Sequence, residues 1–148
     1  MGRVTAAIDL PYPVEQVFRV ATRIADLPRW MPEVVGAELL DPALVPGARI
    51  RLRLGPATGN AEITGTVKRL DPPSLLEIGG SGGPLTITVR TRLAATGPSA
   101  TRATLELDIG APPFLGFIAK EAERRIQAEL PGALDRFRAL LDGEPAPA

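Results

Sequence analysis

The sequence predicts an α+β domain in which a curved antiparallel sheet of about seven strands wraps around one long C-terminal helix, with two short helices after the first strand. Two observations lead to this prediction. Apolar and polar side chains alternate along residues 85–93 and again along residues 103–109. Because successive side chains leave a strand on opposite faces, each stretch predicts a strand with one dry face and one wet face. From Phe114 onward, apolar residues recur at steps of three and four, which predicts an amphipathic helix.

The long helix is the element that must cover the dry face of the sheet, since no other predicted helix is long enough. Ala119 and Ala122 lie early in its apolar stripe, and their small side chains leave room beneath the helix. Pro131 lies inside the stripe, where it removes one backbone hydrogen bond, so we expect a kink there. If the sheet is concave, the space beneath the helix is a ligand cavity.

The rest of the chain supplies the other strands and the two short helices. Residues 3–10 alternate as an opening strand, and Pro13 is well placed to start a helix because a first-turn residue needs no partner for its N–H. The second short helix covers residues 26–30 and ends before Pro32. Further strands are predicted at residues 34–40, 49–54, 61–70 and 75–78, with a glycine-rich turn at residues 79–83.

Composition excludes several classes of function. The chain has no cysteine and no histidine, so it lacks disulfides, thiolate nucleophiles and the commonest general base and metal ligand. Its 17 basic and 17 acidic residues cancel and are interspersed, which argues against a nucleic-acid partner. No stretch reaches the roughly 20 apolar residues of a membrane span, and the first residues lack the apolar run of a signal peptide. We therefore expect a cytoplasmic protein without metal or cofactor, with one domain over residues 1–142 and a disordered tail over residues 143–148.

Two segments near the N-terminus carry a family resemblance. Residues 13–18 read Pro-Val-Glu-Gln-Val-Phe, and residues 26–32 read Asp-Leu-Pro-Arg-Trp-Met-Pro. They resemble the polyketide cyclase/dehydrase-like group of the START-like, or SRPBCC (Bet v 1-like), superfamily, and residues 71–73 and 130–134 are similar to that group as well. The resemblance covers essentially the whole chain and implies a helix-grip fold. It also implies an interior that binds a lipid, sterol, hormone or polyketide, and in some members a cyclisation or dehydration carried out in the same cavity.

Catalytic side chains are scarce on the face predicted to point inward. The resemblance implies an interior arginine in aromatase/cyclase members, but Arg51, Arg53, Arg90 and Arg92 all have outward parity. Residues 79–83 match G-x-S-x-G only as a string, since a nucleophile elbow needs a strand-to-helix turn and a base. We therefore assign no catalytic residue, with one exception left open. Glu129 lies at the edge of the helix stripe, where burial would raise its pKa and suit it to general acid work.

The predicted site combines an apolar wall with a few polar groups. Trp30 is either a platform in the cavity or an anchor between helices, and the polar candidates for orienting a ligand are its indole N–H, Thr91, Arg125 and Glu129. The predicted ligand-binding residues are Trp30, Met31, Leu52, Leu54, Ile63, Leu76, Ile78, Ile87, Val89, Thr91, Leu107, Phe114, Ile118, Ala122, Arg125 and Glu129.

Three functions remain open at this point. The first is binding of a small hydrophobic or amphipathic ligand, lipid-like or polyketide-like, between the sheet and the C-terminal helix. The second is a polyketide cyclase/dehydratase-type enzyme acting in that cavity, which an arginine or glutamate facing an open pocket would favour. The third is a regulatory module that binds a protein partner, which a cavity packed shut by leucine and phenylalanine would favour. The sequence leaves the oligomeric state open between monomer and homodimer.

Overall fold

The computed structural model describes residues 2–144, which form seven strands and two α-helices. The strands are β1 (Gly2–Leu10), β2 (Val34–Leu39), β3 (Arg49–Leu54), β4 (Glu62–Asp71), β5 (Leu75–Gly82), β6 (Leu85–Gly97) and β7 (Ala100–Gly110). The helices are α1 (Val14–Ala21) and α2 (Gly116–Asp142). Short 3₁₀ helices occupy Ile24–Arg29, Pro56–Thr58 and Pro113–Leu115.

All seven strands belong to one antiparallel sheet with the order β1-β7-β6-β5-β4-β3-β2, so that β1 and β2 form its two edges. The connections from β2 through β7 join neighbouring strands, and β1 returns to pair with β7. The helix α2 contacts β1, β7 and the Pro56–Thr58 turn. This arrangement confirms the predicted fold class, a curved antiparallel sheet gripping a long C-terminal helix.

Along the strands of the sheet, side chains alternate between a buried and an exposed face, as the sequence predicts. In β3, Ile50, Leu52 and Leu54 are buried while the arginines between them are exposed. The same alternation runs along β6 and β7, whose inward residues are in register, with Val89 opposite Leu107. The outward parity predicted for the strand arginines is therefore confirmed. Moving any of them inward would require a shift of register that turns the whole strand over.

The glycine-rich residues 79–83 differ from the prediction of a flexible turn. β5 continues to Gly82, and Gly80 pairs directly with Gly65 of β4. A Cβ on Gly80 would lie 2.6 Å from the Gly65 Cα and 2.6 Å from the Thr64 carbonyl oxygen. These glycines let the backbones of β4 and β5 approach closely on the inner face, which allows the sheet to curve.

The C-terminal part of the chain contains one long helix. The structure assigns α2 from Gly116 to Asp142 with Pro131 inside it, so this proline does not end the helix, as expected. Two residues of the predicted disordered tail are described, and Glu144 forms an ion pair with Arg23. Residues 145–148 of that tail lie outside the described residues.

The wet face of the sheet holds an ion-pair network centred on Arg90. Its Nε lies 2.7 Å from Glu77 Oε2, and its Nη1 donates to Asp108 Oδ2 at 2.6 Å. Asp108 also accepts from Arg3 Nε at 2.8 Å, and these hydrogen bonds from Arg3 and Arg90 hold the pKa of Asp108 below its ordinary value. Because all of these groups are outward, the network ties four strands together without placing charge in the core.

We expect Gly80→Ala to lower the free energy of unfolding by about 1–3 kcal/mol, because the added methyl meets backbone atoms that cannot rotate away. The matched control is Gly116→Ala at the start of α2, where an added Cβ meets nothing within 4 Å. There the change should be neutral or stabilising by up to about 1 kcal/mol. Urea unfolding monitored by circular dichroism checks both variants, and equal stabilities would contradict the close approach of β4 and β5.

We expect Asp108→Asn to destabilise the domain at neutral pH and to do so less and less in acid. A carboxyl with a depressed folded-state pKa stabilises the fold above its unfolded pKa of about 4 and loses that contribution as pH falls through the folded value. The difference in the free energy of unfolding between wild type and variant should therefore be constant above about pH 5 and shrink below pH 4. Glu38→Gln, which touches only the exposed pair with Arg51 at 3.7 Å, is the control and should show little effect at any pH.

Candidate functional site

Two small cavities lie between the sheet and α2. The Met31 cavity measures about 20 Å³ and the Trp30 cavity about 10 Å³. The Met31 cavity is lined by Met31, Pro32, Glu33, Val34, Leu52, Leu54, Ile87, Val89, Leu107 and Ile126. The Trp30 cavity is lined by Trp30, Thr91, Ala103, Thr104, Leu105, Leu134 and Phe137. Each holds about one water molecule at most, so the inner space is nearly filled by side chains in this conformation.

The two cavities follow one another along the same strands and the same helix. The pair Val89–Leu107 borders the Met31 cavity, and the next inward pair of β6 and β7, Thr91–Leu105, borders the Trp30 cavity. On α2 the corresponding residues are Ile126 and Leu134, about 12 Å apart at 1.5 Å per residue. Leu130, fully buried, is four residues from each of them and so lies on the same helix face. Leu130 is part of the core and borders neither cavity.

Trp30 is held in place by two residues of α2. Its side chain is 1% exposed, and its ring lies 4.6 Å from the ring of Phe137 at an interplanar angle of 49°. Arg136 of α2 donates to the Trp30 carbonyl oxygen at 3.2 Å. The indole Nε1 is buried and has no hydrogen-bond partner among residues 2–144. Trp30 thus packs against the helix and borders a cavity at the same time, so the two roles considered for it coexist.

One of two neighbouring glutamates belongs to the Met31 cavity. Glu33 borders the cavity, has a positive φ of 61°, and accepts from the Ala57 N–H at 2.7 Å through Oε1. Its carbonyl oxygen accepts from the Gly55 N–H at 2.9 Å. These contacts fix Glu33 to the turn that packs on α2, where Glu129 is its neighbour.

Burial and the nearby negative charge of Glu33 both raise the pKa of Glu129, and Arg136 and Arg125 oppose the shift. Glu129 as a residue is exposed, so its carboxyl lies at the rim of the site and is reachable from solvent. The arrangement resembles other carboxyl pairs in which one member holds its proton above the ordinary pKa because two like charges repel. It can accept or release a proton beside an apolar cavity.

The structure distributes the predicted site residues over three environments. Those that border the two cavities are Trp30, Met31, Leu52, Leu54, Ile87, Val89, Thr91 and Leu107. Those buried elsewhere in the core are Ile63, Leu76, Ile78 and Ala122, while Ile118 is partly buried. Those at the surface are Phe114, Arg125 and Glu129, and Phe114 is 78% exposed. Ala122 is fully buried without bordering either cavity, so the space beneath α2 lies further along the helix than its small residues suggested.

Sequence reasoning missed several residues that border the cavities. Ile126 and Phe137 lie on the apolar stripe predicted for the long helix, and Leu105 lies on the predicted inner face of the sheet. The sequence pattern therefore predicted that these residues are buried, but it did not predict that they border a cavity. Glu33 gave no signal, because its contact with Ala57 joins residues 24 positions apart. Among the described residues, no group of three or more acidic side chains is placed to hold a metal ion, and no helix is long and apolar enough to cross a membrane.

We expect Glu129→Gln to be more stable than the wild type at neutral pH. A carboxyl with a raised folded-state pKa binds its proton more tightly in the folded state than in the unfolded state. As pH rises from the unfolded pKa through the folded one, its ionisation therefore lowers the free energy of unfolding. The stability difference should therefore vanish below about pH 4 and grow above it. Unfolding measured across this pH range tests the pair, and Glu121→Gln, whose carboxyl pKa is lowered by Arg124, should show the opposite trend.

Solved structures share this architecture at low sequence identity. The Zhui aromatase/cyclase from Streptomyces sp. R1128 superimposes with a TM-score of 0.77 at 13% identity, covering 95% of this chain and 93% of that one. A START superfamily protein from Mycobacterium smegmatis gives 0.68 at 17% identity over 95% and 97%. Norcoclaurine synthase from Thalictrum flavum gives 0.70 at 14% identity over 98% and 89%.

These structural similarities establish the fold. The sequence itself matches a protein-family model. A comparison with curated proteins finds no significant match. The model for polyketide cyclase / dehydrase and lipid transport proteins matches residues 1–142, which is nearly the whole chain. With its seven-stranded sheet closed over one long helix, the chain belongs to the polyketide cyclase / dehydrase and lipid transport family.

Proposed function

We propose that this protein binds a small hydrophobic or amphipathic molecule, lipid-like or polyketide-like, in the space between the inner face of the sheet and α2. The observation that carries the proposal is the pair of apolar cavities that border α2 at Ile126 and at Leu134. The family and the aromatase/cyclase neighbours support the same class of function. The proposed contacts include Met31, Leu52 and Val89 in one cavity and Trp30 and Thr91 in the other.

Binding requires the packing beneath α2 to loosen. Cavities of about 20 and 10 Å³ are far smaller than the hundreds of cubic ångströms of an ordinary ligand pocket. Under this proposal, a ligand would select conformations in which residues that border the Met31 cavity, such as Met31 and Ile126, have moved apart. Each Å² of apolar ligand surface removed from water contributes about 25 cal/mol, from which the cost of opening is subtracted. Affinity would depend on the population of the open state as much as on fit.

An enzymatic role is the second candidate, and Glu33 with Glu129 is the observation that favours it. A carboxyl with a raised pKa is better suited to protonate a leaving hydroxyl or a carbonyl oxygen, as a dehydration or cyclisation requires. Glu33, held by the Ala57 N–H, is the second carboxyl of the pair. The resemblance implies an interior arginine in aromatase/cyclase members. In this chain, the strand arginines considered for that role all lie on the outer face of the sheet, which argues against an enzyme.

A role as a protein-binding module draws support from the small cavity volumes and from the exposure of Phe114 and Phe117, which are 78% and 68% exposed. This candidate predicts that no apolar compound stabilises the fold. The ligand proposal predicts the reverse, and a thermal-shift panel of lipids and aromatic polyketides, with mass spectrometry of compounds extracted from natively purified protein, separates the two. The absence of any stabilising or co-purifying compound would overturn the ligand proposal.

We expect Val89→Phe to weaken binding of any stabilising compound by tenfold or more, on the order of 1.4 kcal/mol, because the ring fills the Met31 cavity. Thr86→Phe is the matched control, since it introduces the same side chain on the same strand but on the exposed face. Circular dichroism and thermal unfolding establish that both variants fold. Equal affinities for the two variants would place the binding site outside the Met31 cavity.

For the enzyme candidate, Glu129→Gln should reduce turnover of a true substrate by about 100-fold while leaving its binding within a factor of two, because the amide cannot donate a carboxylic proton. Steady-state kinetics together with a binding titration check this. Unchanged turnover would exclude Glu129 as the acid.

A further inference from the structure

We propose that the free edge of β2 is a self-association surface, at which two copies of this chain pair their β2 strands antiparallel about a two-fold axis through Ala37. The two sheets would then continue into one another. This inference is independent of the ligand-binding proposal. It rests on unpaired backbone groups at the edge, on an arginine without an ion-pair partner, and on a glutamate at the position where a second copy can supply that partner.

The edge of the sheet at β2 is accessible along much of the strand. Of the two edge strands, β1 packs against α2, while β2 contacts the 3₁₀ helix Ile24–Arg29. Beyond that helix, Val35 is 58% exposed, Glu38 is exposed, and Ala37 and Leu39 are partly exposed. The strand contains no lysine or proline, two residues that commonly protect edge strands from pairing. The edge is therefore open to a further strand.

The backbone of β2 has unpaired groups on its free side. The Leu40 N–H donates to the Arg49 carbonyl oxygen at 2.9 Å. Because successive residues of a strand direct their N–H and C=O groups to opposite sides, Glu38 also bonds toward β3, whereas Ala37 and Leu39 point to the free edge. Within the described part of the chain, no backbone hydrogen bond outside the sheet pairing involves Ala37 or Leu39. Their N–H and C=O groups are available to another strand.

Arg53 of β3 reaches across β2 to the same edge. A Cβ on Gly36 would lie 2.6 Å from Arg53 Nε and 2.6 Å from its Nη2, so the guanidinium occupies the space that a side chain would fill there. Arg49 and Arg51 of the same strand form ion pairs, whereas Arg53 forms none among the residues that the structure describes. An outer groove of about 310 Å³ at this place is lined by Gly36, Ala37, Glu38, Arg51, Arg53 and Glu62. An acidic side chain opposite Gly36 on an added strand would lie beside the guanidinium.

A second copy of the chain supplies that acidic side chain in one register. Only residues on the free side can bond across the edge, so two antiparallel β2 strands can shift only in steps of two residues. When Ala37 lies opposite Ala37 of the second copy, Gly36 of each copy lies opposite Glu38 of the other. Both residues are on the outer face, where their β3 partners are Arg53 and Arg51. The guanidinium of Arg53 in each copy then lies beside the Glu38 carboxylate of the other.

The neighbouring registers bring like charges together. With Ala37 opposite Leu39, the two Glu38 side chains face each other directly. With Ala37 opposite Val35, the two Gly36 residues face each other and both Arg53 guanidiniums converge on one place. Like charges opposite each other across strands are destabilising, so charge selects the register centred on Ala37. The ion pairs fix the register, and the backbone hydrogen bonds hold the strands together.

A disulfide tests the register. The chain has no cysteine, so a single introduced thiol can pair only with its copy. In the proposed register the two Ala37 Cα atoms are about 5.5 Å apart, a distance that a disulfide spans, so Ala37→Cys should form a covalent dimer on mild oxidation. In Leu39→Cys, the matched control on the same side of the strand, the thiols are separated by about 13 Å along the strand, so this variant should remain monomeric. Equal dimer yields on non-reducing gels would overturn the register.

Charge reversal tests the ion pairs in the cysteine-free chain. Glu38→Arg and Arg53→Glu each bring like charges together across the axis, so each variant alone should dimerise about tenfold more weakly than the wild type, or less. An equimolar mixture of the two should dimerise like the wild type, because both contacts then join opposite charges. The control Glu62→Arg reverses a charge in the same groove but on β4, away from the edge, and should change dimerisation by less than about twofold.

Sedimentation velocity at concentrations up to about 1 mM measures the association of every variant, and circular dichroism establishes that each is folded. Ala37→Pro removes only an N–H on the free side, which an edge strand tolerates, and it should abolish the dimer. A wild type that stays monomeric over this range would overturn self-association and leave the edge to a strand of another protein. A dimer that persists unchanged in Glu38→Arg and Arg53→Glu would also overturn the proposal.

Discussion

Burial of one apolar sheet face beneath α2 is the interaction on which the rest of this structure depends. The alternation along the strands sends aliphatic side chains inward and charged ones outward, and α2 removes the inward set from water. The outer ion pairs around Arg90 and the close glycines Gly65 and Gly80 are compatible with this burial because neither places a polar side chain in the core. The same burial leaves little room at the Met31 and Trp30 cavities, whose volumes are about 20 and 10 Å³.

The polar groups of the site are arranged by their distance from solvent. Glu33 and Glu129 lie at the rim, where a charge can be hydrated and a proton can exchange. Trp30 and Thr91 lie deep, where only neutral groups are tolerated. The charged groups of this region are therefore near solvent, and the buried polar residues Thr91 and Trp30 are neutral.

The alternation identified which strand residues face inward, and six of the residues that border the Met31 cavity were predicted from it or from the family motif. It did not identify which inward residues touch a cavity. Ile63 and Ile78 have the same parity as Val89 and are equally buried, yet they border neither cavity. That distinction depends on where α2 crosses the sheet, and a period of two carries no information about the position of a helix. Ala122 is fully buried and borders neither cavity, so the small residues of the helix do not mark a void.

By itself, the sequence determined the fold class, the parity of the strands and the outward position of the arginines, because each follows from local periodicity and from the cost of burying charge. Only the tertiary structure decided the rest. Glu33 is a neighbour of Glu129, and Trp30 packs on Phe137, because chain segments far apart in sequence are packed together. Long-range contacts of this kind are set by how the sheet curves around the helix, which no local pattern encodes.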